Sequence, residues 1–178
     1  AAVLEGSIAA LGSQYVLGLR ATSCGSGAVL DEEQMQAVRK EDVLKTLSQV
    51  AVTFRTKVGE SLATVRQHDT PLEEATTTSL EALKAYSAGK RITSTSNDLA
   101  ATIPFYQRAI GIDPRFAIAH ASLGFAYGLL GESARAAESN SKAYELRDRA
   151  SDREKFYITT VYDLFVTGNL EKAQQTAE

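Results

Sequence analysis

The segment from Leu123 to Ala143, LGFAYGLLGESARAAESNSKA, constrains the fold of this chain more than any other. Small residues at Gly124, Ala136 and Ala143 are spaced to lie on the contacting faces of two helices, where short side chains let the axes approach. Gly131 falls between the two halves, where a helix must stop and the chain must reverse. The segment therefore predicts a hairpin of two closely packed helices.

A related pattern occurs on both sides of this hairpin. Upstream, residues 98–114 place Tyr106, Ala109 and Pro114 as the second half of such a unit would, and Gly89 matches its first half. A truncated downstream copy, preceded by about three extra residues relative to a period of roughly 34, has five matching positions: Tyr157, Leu164, Gly168, Leu170 and Ala173. We expect about two and a half helical hairpins that stack as an all-α solenoid.

This pattern resembles the tetratricopeptide repeat (TPR), a helix-turn-helix unit of about 34 residues. The resemblance assigns residues 79–178 to repeats at 79–116, 117–150 and 151–178, the last of them truncated. In that family, the first helix of each hairpin lines a concave face where peptides or partner helices bind. Register predicts these residues on that face: Tyr86, Lys90, Ala121, Phe125, Leu129, Tyr162, Phe165 and Val166.

The predicted concave face is mainly apolar and aromatic. It therefore favours an amphipathic helix as the partner, rather than a terminal carboxylate, which some family members hold with lysine, arginine and asparagine. The alternative is that some of these residues pack against the preceding α/β region or the next repeat. Self-association through this groove or through the solenoid end, giving a homodimer, is a second possible role.

The region before the repeats begins with an alternating pattern instead of a helical one. Three short apolar-alternating segments, separated by turns at Gly12 and Gly25, predict an antiparallel meander whose third strand spans 28–37. A helix follows, with an apolar stripe formed by Val43, Leu47, Val50, Phe54 and Val58. The expected fold is α+β: a partial β-meander plus helix at 1–59, a helical connector at 60–78, and the repeats at 79–178.

The connector contains two sequence patterns typical of helix starts. Thr70 with Glu73 forms one capping box, and proline follows that threonine at the first helical position. Thr78 with Glu81 forms a second, directly before the first repeat helix. These patterns predict short helical pieces between the two regions.

The amino-terminal region resembles the end of a TolB-like domain. The resemblance rests on VLEGSI at 3–8, the strand pair around Gly12, and residues 24–33. Bacterial signalling proteins often place that domain directly before TPRs. Five further runs look like the region after the kinase domain in TPR-bearing bacterial serine/threonine kinases, notably acidobacterial ones: 60–63, 69–72, 79–86, 143–147 and 153–158. Winged-helix regulators carry similar regions.

Composition and motifs argue against several classes of function. The net charge of −3 and the lack of a basic cluster argue against a nucleic-acid surface, and no apolar run approaches the roughly 18 residues of a membrane span. The glycine-rich loop, His-Arg-Asp and Asp-Phe-Gly motifs of protein kinases are absent from the sequence. His120 sits where the repeat places a packing residue, and neither His68 nor Cys24 has neighbours suited to catalysis. We expect no catalytic residues, cofactor or metal in this chain.

The sequence thus predicts a non-catalytic protein-interaction and regulatory module of a bacterial signalling protein. The alternative is a self-association module that dimerises an attached kinase or winged-helix regulator. The chain begins without methionine and ends at Glu178, inside a predicted helix. We therefore expect a piece of a longer, membrane-anchored protein, located on either side of the membrane.

Overall fold

The computed structural model describes residues 1–59, 76–96 and 98–177. The chain divides into two compact units, Ala1–Glu73 and Glu74–Glu178. In chain order, the described residues form a three-stranded antiparallel sheet followed by seven α-helices. The predicted α+β class is confirmed. His68 and the predicted helix start at 70–73 lie outside the described residues.

The sheet of the first unit is a simple meander. Its strands are β1 (Ala2–Leu11), β2 (Gln14–Ser23) and β3 (Val29–Ala37), in the order β1-β2-β3. The β1–β2 register is unbroken from Ala2 opposite Ser23 to Leu11 opposite Gln14. Gly12 closes this hairpin with a φ of 63°, a left-handed conformation that glycine adopts without steric strain.

One helix covers part of this sheet. Helix α1 (Val43–Lys57) follows a short 3₁₀ turn at Lys40–Asp42 and packs across β2 and β3. Its predicted stripe holds for Val43, Val50 and Phe54, which are buried. The prediction is wrong for Val58, which is exposed because the helix ends one residue earlier. Leu17, Ala21 and Ala37 of the sheet complete this small core.

The described residues of the second unit form six helices in three sequential pairs, and the two helices of each pair pack together. The bounds are α2 (Leu80–Ser96), α3 (Leu99–Ile112), α4 (Ala117–Leu129), α5 (Ser133–Glu145), α6 (Asp152–Tyr162) and α7 (Leu170–Ala177). A 3₁₀ turn, Arg147–Arg149, precedes α6, and a π-helical turn, Asp163–Thr167, follows it.

Side-chain caps define where several of these helices begin. The Ser79 hydroxyl accepts a hydrogen bond from the Ala82 amide at 3.2 Å, so α2 is capped by Ser79 and not by the predicted Thr78. Asp98 caps α3, and Ser151 forms a reciprocal capping box with Glu154 at the start of α6. Such caps satisfy amide groups that have no partner within the helix.

Burial along the second helices follows a regular period. Thr102, Tyr106 and Ala109 of α3 are buried, and so are the residues one period of about 34 positions later in α5: Ala136, Asn140 and Ala143. Each set faces a glycine of the preceding helix. A methyl group on Gly89 would lie 2.7 Å from the Tyr106 ring, and one on Gly124 would overlap the Asn140 amide. Equivalent positions of the two helix pairs therefore make equivalent close contacts.

Pro104→Ala should raise the free energy of unfolding by about 1–2 kcal/mol, because proline in a helix interior removes one hydrogen bond and clashes with the preceding turn. Pro104 is exposed within α3, so no packing is lost by the substitution. Chemical denaturation followed by circular dichroism measures the change. Unchanged or lower stability would mean that this backbone already accommodates the ring.

Candidate functional site

The first helix of each pair contributes rings to a continuous seam. Phe125 of α4 contacts Tyr157 of α6, with ring centroids 6.3 Å apart, and Phe165 of the π-helical turn, at 6.1 Å in an edge-to-face arrangement. Phe165 packs directly on Gly128, where any added methyl group would overlap its ring. All three rings are half-buried, so each keeps some surface that a partner could contact.

A buried hydroxyl extends the seam to α2. The Ser122 side chain lies near two tyrosines: its oxygen is 3.4 Å from the Tyr86 hydroxyl, and its hydroxyl partly offsets the raised pKa of Tyr157. Burial raises the pKa of Tyr86 to about 12 and raises that of Tyr157 as well. Both phenols therefore stay neutral at physiological pH and act as hydrogen-bonding groups. We call Tyr86, Ser122, Phe125, Tyr157 and Phe165 the inner seam.

Glu154 is an acidic residue of the second unit whose charge helps to raise the pKa of Tyr86 in the inner seam. Burial raises the pKa of its carboxyl, and hydrogen bonds from Ser151 and Thr76 partly oppose that shift. The Ser151 amide and hydroxyl each donate to its Oε2 atom at 3.1 Å. Because the carboxylate is occupied in capping α6, its role is to fix the start of that helix.

The structure brings only some of the predicted concave-face residues together. Phe125 and Phe165 touch, and Ser122 links them to Tyr86. Lys90 and Leu129 are exposed, the latter to 55%, and Val166 is half-buried. Ala121 is fully buried in the core between the helices.

Tyr162 lies apart from the seam. Its ring stacks on Tyr144 of α5 at 4.0 Å between centroids, and Arg147 covers the Tyr144 ring. In a regular α-helix, Tyr162 already lies about 140° around the axis from Tyr157, because five positions separate them. The π-helical turn that follows changes only the spacing between Tyr162 and Phe165. Ala121 and Tyr162 thus make contacts within the helical unit, Tyr162 with the preceding helix pair. Partner binding by the other residues stays a prediction.

Sequence reasoning did not assign Ser122 and Tyr157 to this surface. Tyr157 was predicted only as a matching repeat position. Ser122 lies one turn before Phe125 on the same helix face, which is the signal that could have placed it there.

The two other residues considered for chemistry sit in structural surroundings. The His120 ring donates from Nε2 to the Pro114 carbonyl at 3.0 Å, and burial lowers its pKa. Cys24 is exposed in the turn between β2 and β3. Among the described residues, no group of three or more histidine, cysteine, aspartate or glutamate side chains could hold a metal ion.

A groove of about 650 Å³ lies between α3, α4 and α5. Tyr127 at its base accepts a hydrogen bond from Gln107 and lies under Arg135. Arg135 pairs with Glu132 at 2.7 Å, and Lys142 pairs with Glu145 at 2.8 Å. Side chains of both charges therefore line the groove, and these two basic groups pair with neighbouring acids.

No protein-family model matches this chain, and no curated protein is similar to it. Among the described helices, none combines the length and the apolar character needed to cross a membrane.

Proposed function

We propose that residues 79–178 form a TPR-like array that acts as a non-catalytic protein-interaction module. The observation that carries the proposal is the inner seam, a run of half-buried rings on α2, α4, α6 and the π-helical turn that follows α6. The equivalent glycine contacts of the two complete helix pairs support the repeat assignment. A rigid array of this kind displays a preformed surface, so a partner does not have to order it on binding.

The partner that this surface suits best is an amphipathic helix. Partly exposed aromatic rings with neutral hydroxyl groups offer apolar contact together with hydrogen bonding, a combination enriched at binding hot spots. Leu129 follows Phe125 by one turn and is exposed, and Lys90 follows Tyr86 by one turn. We therefore expect a helix with apolar anchors at i, i+3 or i+4, and i+7, and an acidic residue near Lys90.

For the amino-terminal unit, we propose the end of a TolB-like domain within a bacterial signalling protein. The meander followed by a helix is the arrangement that this resemblance implies. Attachment to a serine/threonine kinase or to a winged-helix regulator is part of the same proposal. In that setting the helical unit would recruit or regulate, and the attached domain would carry the activity.

Leu129→Arg should weaken binding of a seam-directed helix by about 10- to 100-fold, since it replaces an apolar contact worth about 1.5–3 kcal/mol with a charge. The probe is a displayed library of 18-residue amphipathic helical peptides, from which binders to the whole chain are selected. Fluorescence anisotropy of the selected peptides then gives the affinity for each variant.

Leu130→Arg is the matched control, because Leu130 is adjacent, exposed to 43% and turned away by about 100° around the helix. It should bind the selected peptides as the original chain does. Failure to select any binder, or equal affinity for the two variants, would contradict the proposed function.

A further inference from the structure

The strand β1 presents an open, largely apolar edge. Within the described residues it pairs with β2 along one side only, and every one of its ten residues is exposed. Leu4 and Ile8 are exposed to 63% and 51%. They lie opposite Ala21 and Leu17, which are buried under α1, so they extend the same apolar face beyond the area that α1 covers.

The other edge of the sheet is protected in the way that natural sheets usually are. The strand β3 carries three consecutive acids, Asp31, Glu32 and Glu33, and an irregularity interrupts its pairing near Ala21 of β2. Charges and bulges of this kind oppose edge-to-edge pairing. By contrast, β1 has one charge, Glu5, no proline and an unbroken register. It is also longer than a typical strand of about five or six residues.

We propose that β1 pairs antiparallel with β1 of a second copy of this chain, which joins the two meanders into one six-stranded sheet. An isologous pair of this kind closes as a dimer with two-fold symmetry. It also satisfies the backbone amide and carbonyl groups along the open edge. The β3 edges stay outermost, where Asp31 and the irregular pairing oppose further growth of the sheet, while Glu32 and Glu33 pair with Arg20 and Lys57.

The sequence of β1 selects the register of this pair. Directly opposed residues must lie on the same face of the sheet, and the two longest such pairings, equal in length, centre on Gly6 and on Ser7. The pairing centred on Gly6 is favoured, because it alone sets the large apolar residues Leu4 and Ile8 opposite each other. It sets Gly6 opposite Gly6, Leu4 opposite Ile8, and Glu5 opposite Ser7 of the other copy. A register centred on Glu5 would place the Glu5 carboxylates of the two copies directly opposite each other, and like charges at opposed positions are destabilising. Apolar pattern and charge therefore favour the same arrangement.

A cysteine crosslink tests the register directly. In a Cys24→Ser background, Gly6→Cys should form a disulfide-linked dimer under mild oxidation, since opposed Cα atoms in such a pair are about 4.5–5.5 Å apart. The position has room for the side chain, because the nearest atom to an added Cβ is 3.8 Å away on Leu19. Ala10→Cys is the control. It should not crosslink, because its two copies would be about 27 Å apart in this register.

The mass of the original chain in solution tests the pairing itself. Sedimentation equilibrium should give twice the 19.1 kDa of one chain, and Ile8→Lys should raise the dimer dissociation constant at least about tenfold. Val38→Lys is the matched control, because Val38 is exposed to 63% and follows β3. A monomer at all concentrations, equal crosslinking at positions 6 and 10, or equal effects of the two lysines would overturn the proposal.

Discussion

Gly124→Ala should lower the free energy of unfolding by about 1–3 kcal/mol, although alanine is the better helix former by about 1 kcal/mol. The reason is space: a methyl group on Gly124 would overlap the amide of Asn140 on the facing helix. Asn140 is fully buried and cannot swing into solvent. The two helices must therefore move apart, which loosens the contacts of the small residues on either side.

In an Asn140→Ala background, Gly124→Ala should stabilise the protein instead of destabilising it. Neither amide atom of Asn140 has a hydrogen-bond partner among the described residues, and an unpaired buried polar group costs about 1–3 kcal/mol. Asn140→Ala alone should therefore be neutral or stabilising. In that background Gly124→Ala should add about 0.5–1 kcal/mol of stability, since only its helix preference remains. A double-mutant cycle isolates this coupling.

Gly111→Ala is the control for helix preference. Gly111 lies in α3 with open space where its Cβ would be, so alanine there should stabilise the protein by about 0.5–1 kcal/mol. Guanidinium denaturation followed at 222 nm measures all four variants. Equal effects of alanine at positions 111 and 124, or an unchanged loss in the Asn140→Ala background, would show that the close contact is not what requires glycine.

The contact between Gly124 and Asn140 was only partly predictable from the sequence of the helical unit. Spacing alone predicted that Gly124, Ala136 and Ala143 lie between helices, and all three are buried. The prediction succeeds because small residues at regular helical intervals usually mark a face on which another helix packs closely. Burial of Asn140 was not predicted, because an amide in the second helix of a hairpin is as compatible with solvent as with the core.

The site was harder to predict than the fold. Helix periodicity placed Phe125 and Phe165 on one surface, and they do touch. It placed Tyr162 there as well, whereas the Tyr162 ring stacks on Tyr144 of α5. The π-helical turn that follows Tyr162 has no regular apolar pattern that would predict it. Periodicity also does not say which neighbour covers a helix face. Ala121 shares the periodicity of the predicted concave-face residues, yet its side chain is fully buried by neighbouring helices.

In the amino-terminal unit, the sequence predicts the strands but not which of their apolar residues are buried. Alternation of apolar residues predicted the three strands and their turns, and the meander is confirmed. The same alternation gives Leu4 and Leu17 equivalent places on one face of the sheet. Only the position of α1 over β2 and β3 decides that Leu17 is buried and Leu4 is exposed. A tertiary contact of this kind has no signature in the strand itself.

Phe116→Ala should have the largest effect in the helical unit, a loss of about 3–5 kcal/mol. Phe116 precedes α4, is fully buried, and lies 5.2 Å from the Tyr86 ring of α2 between ring centroids. Alanines at positions 82, 85, 109 and 119 belong to the same core. Such short, rigid neighbours cannot fill the space left by a phenyl ring, so the cavity should persist.

Phe156→Ala is the control for loss of a phenyl ring at an exposed position. Phe156 is exposed to 62%, so its truncation should cost less than about 0.5 kcal/mol.

The loss of Phe116 should act locally, because this residue joins the first helix pair to the second in a structure built from neighbouring pairs. Hydrogen exchange should then show α2 and α3 losing more protection than α5 and α6. Equal stability losses for the two phenylalanines, or uniform loss of protection across the helices, would mean that Phe116 does not hold the pairs together.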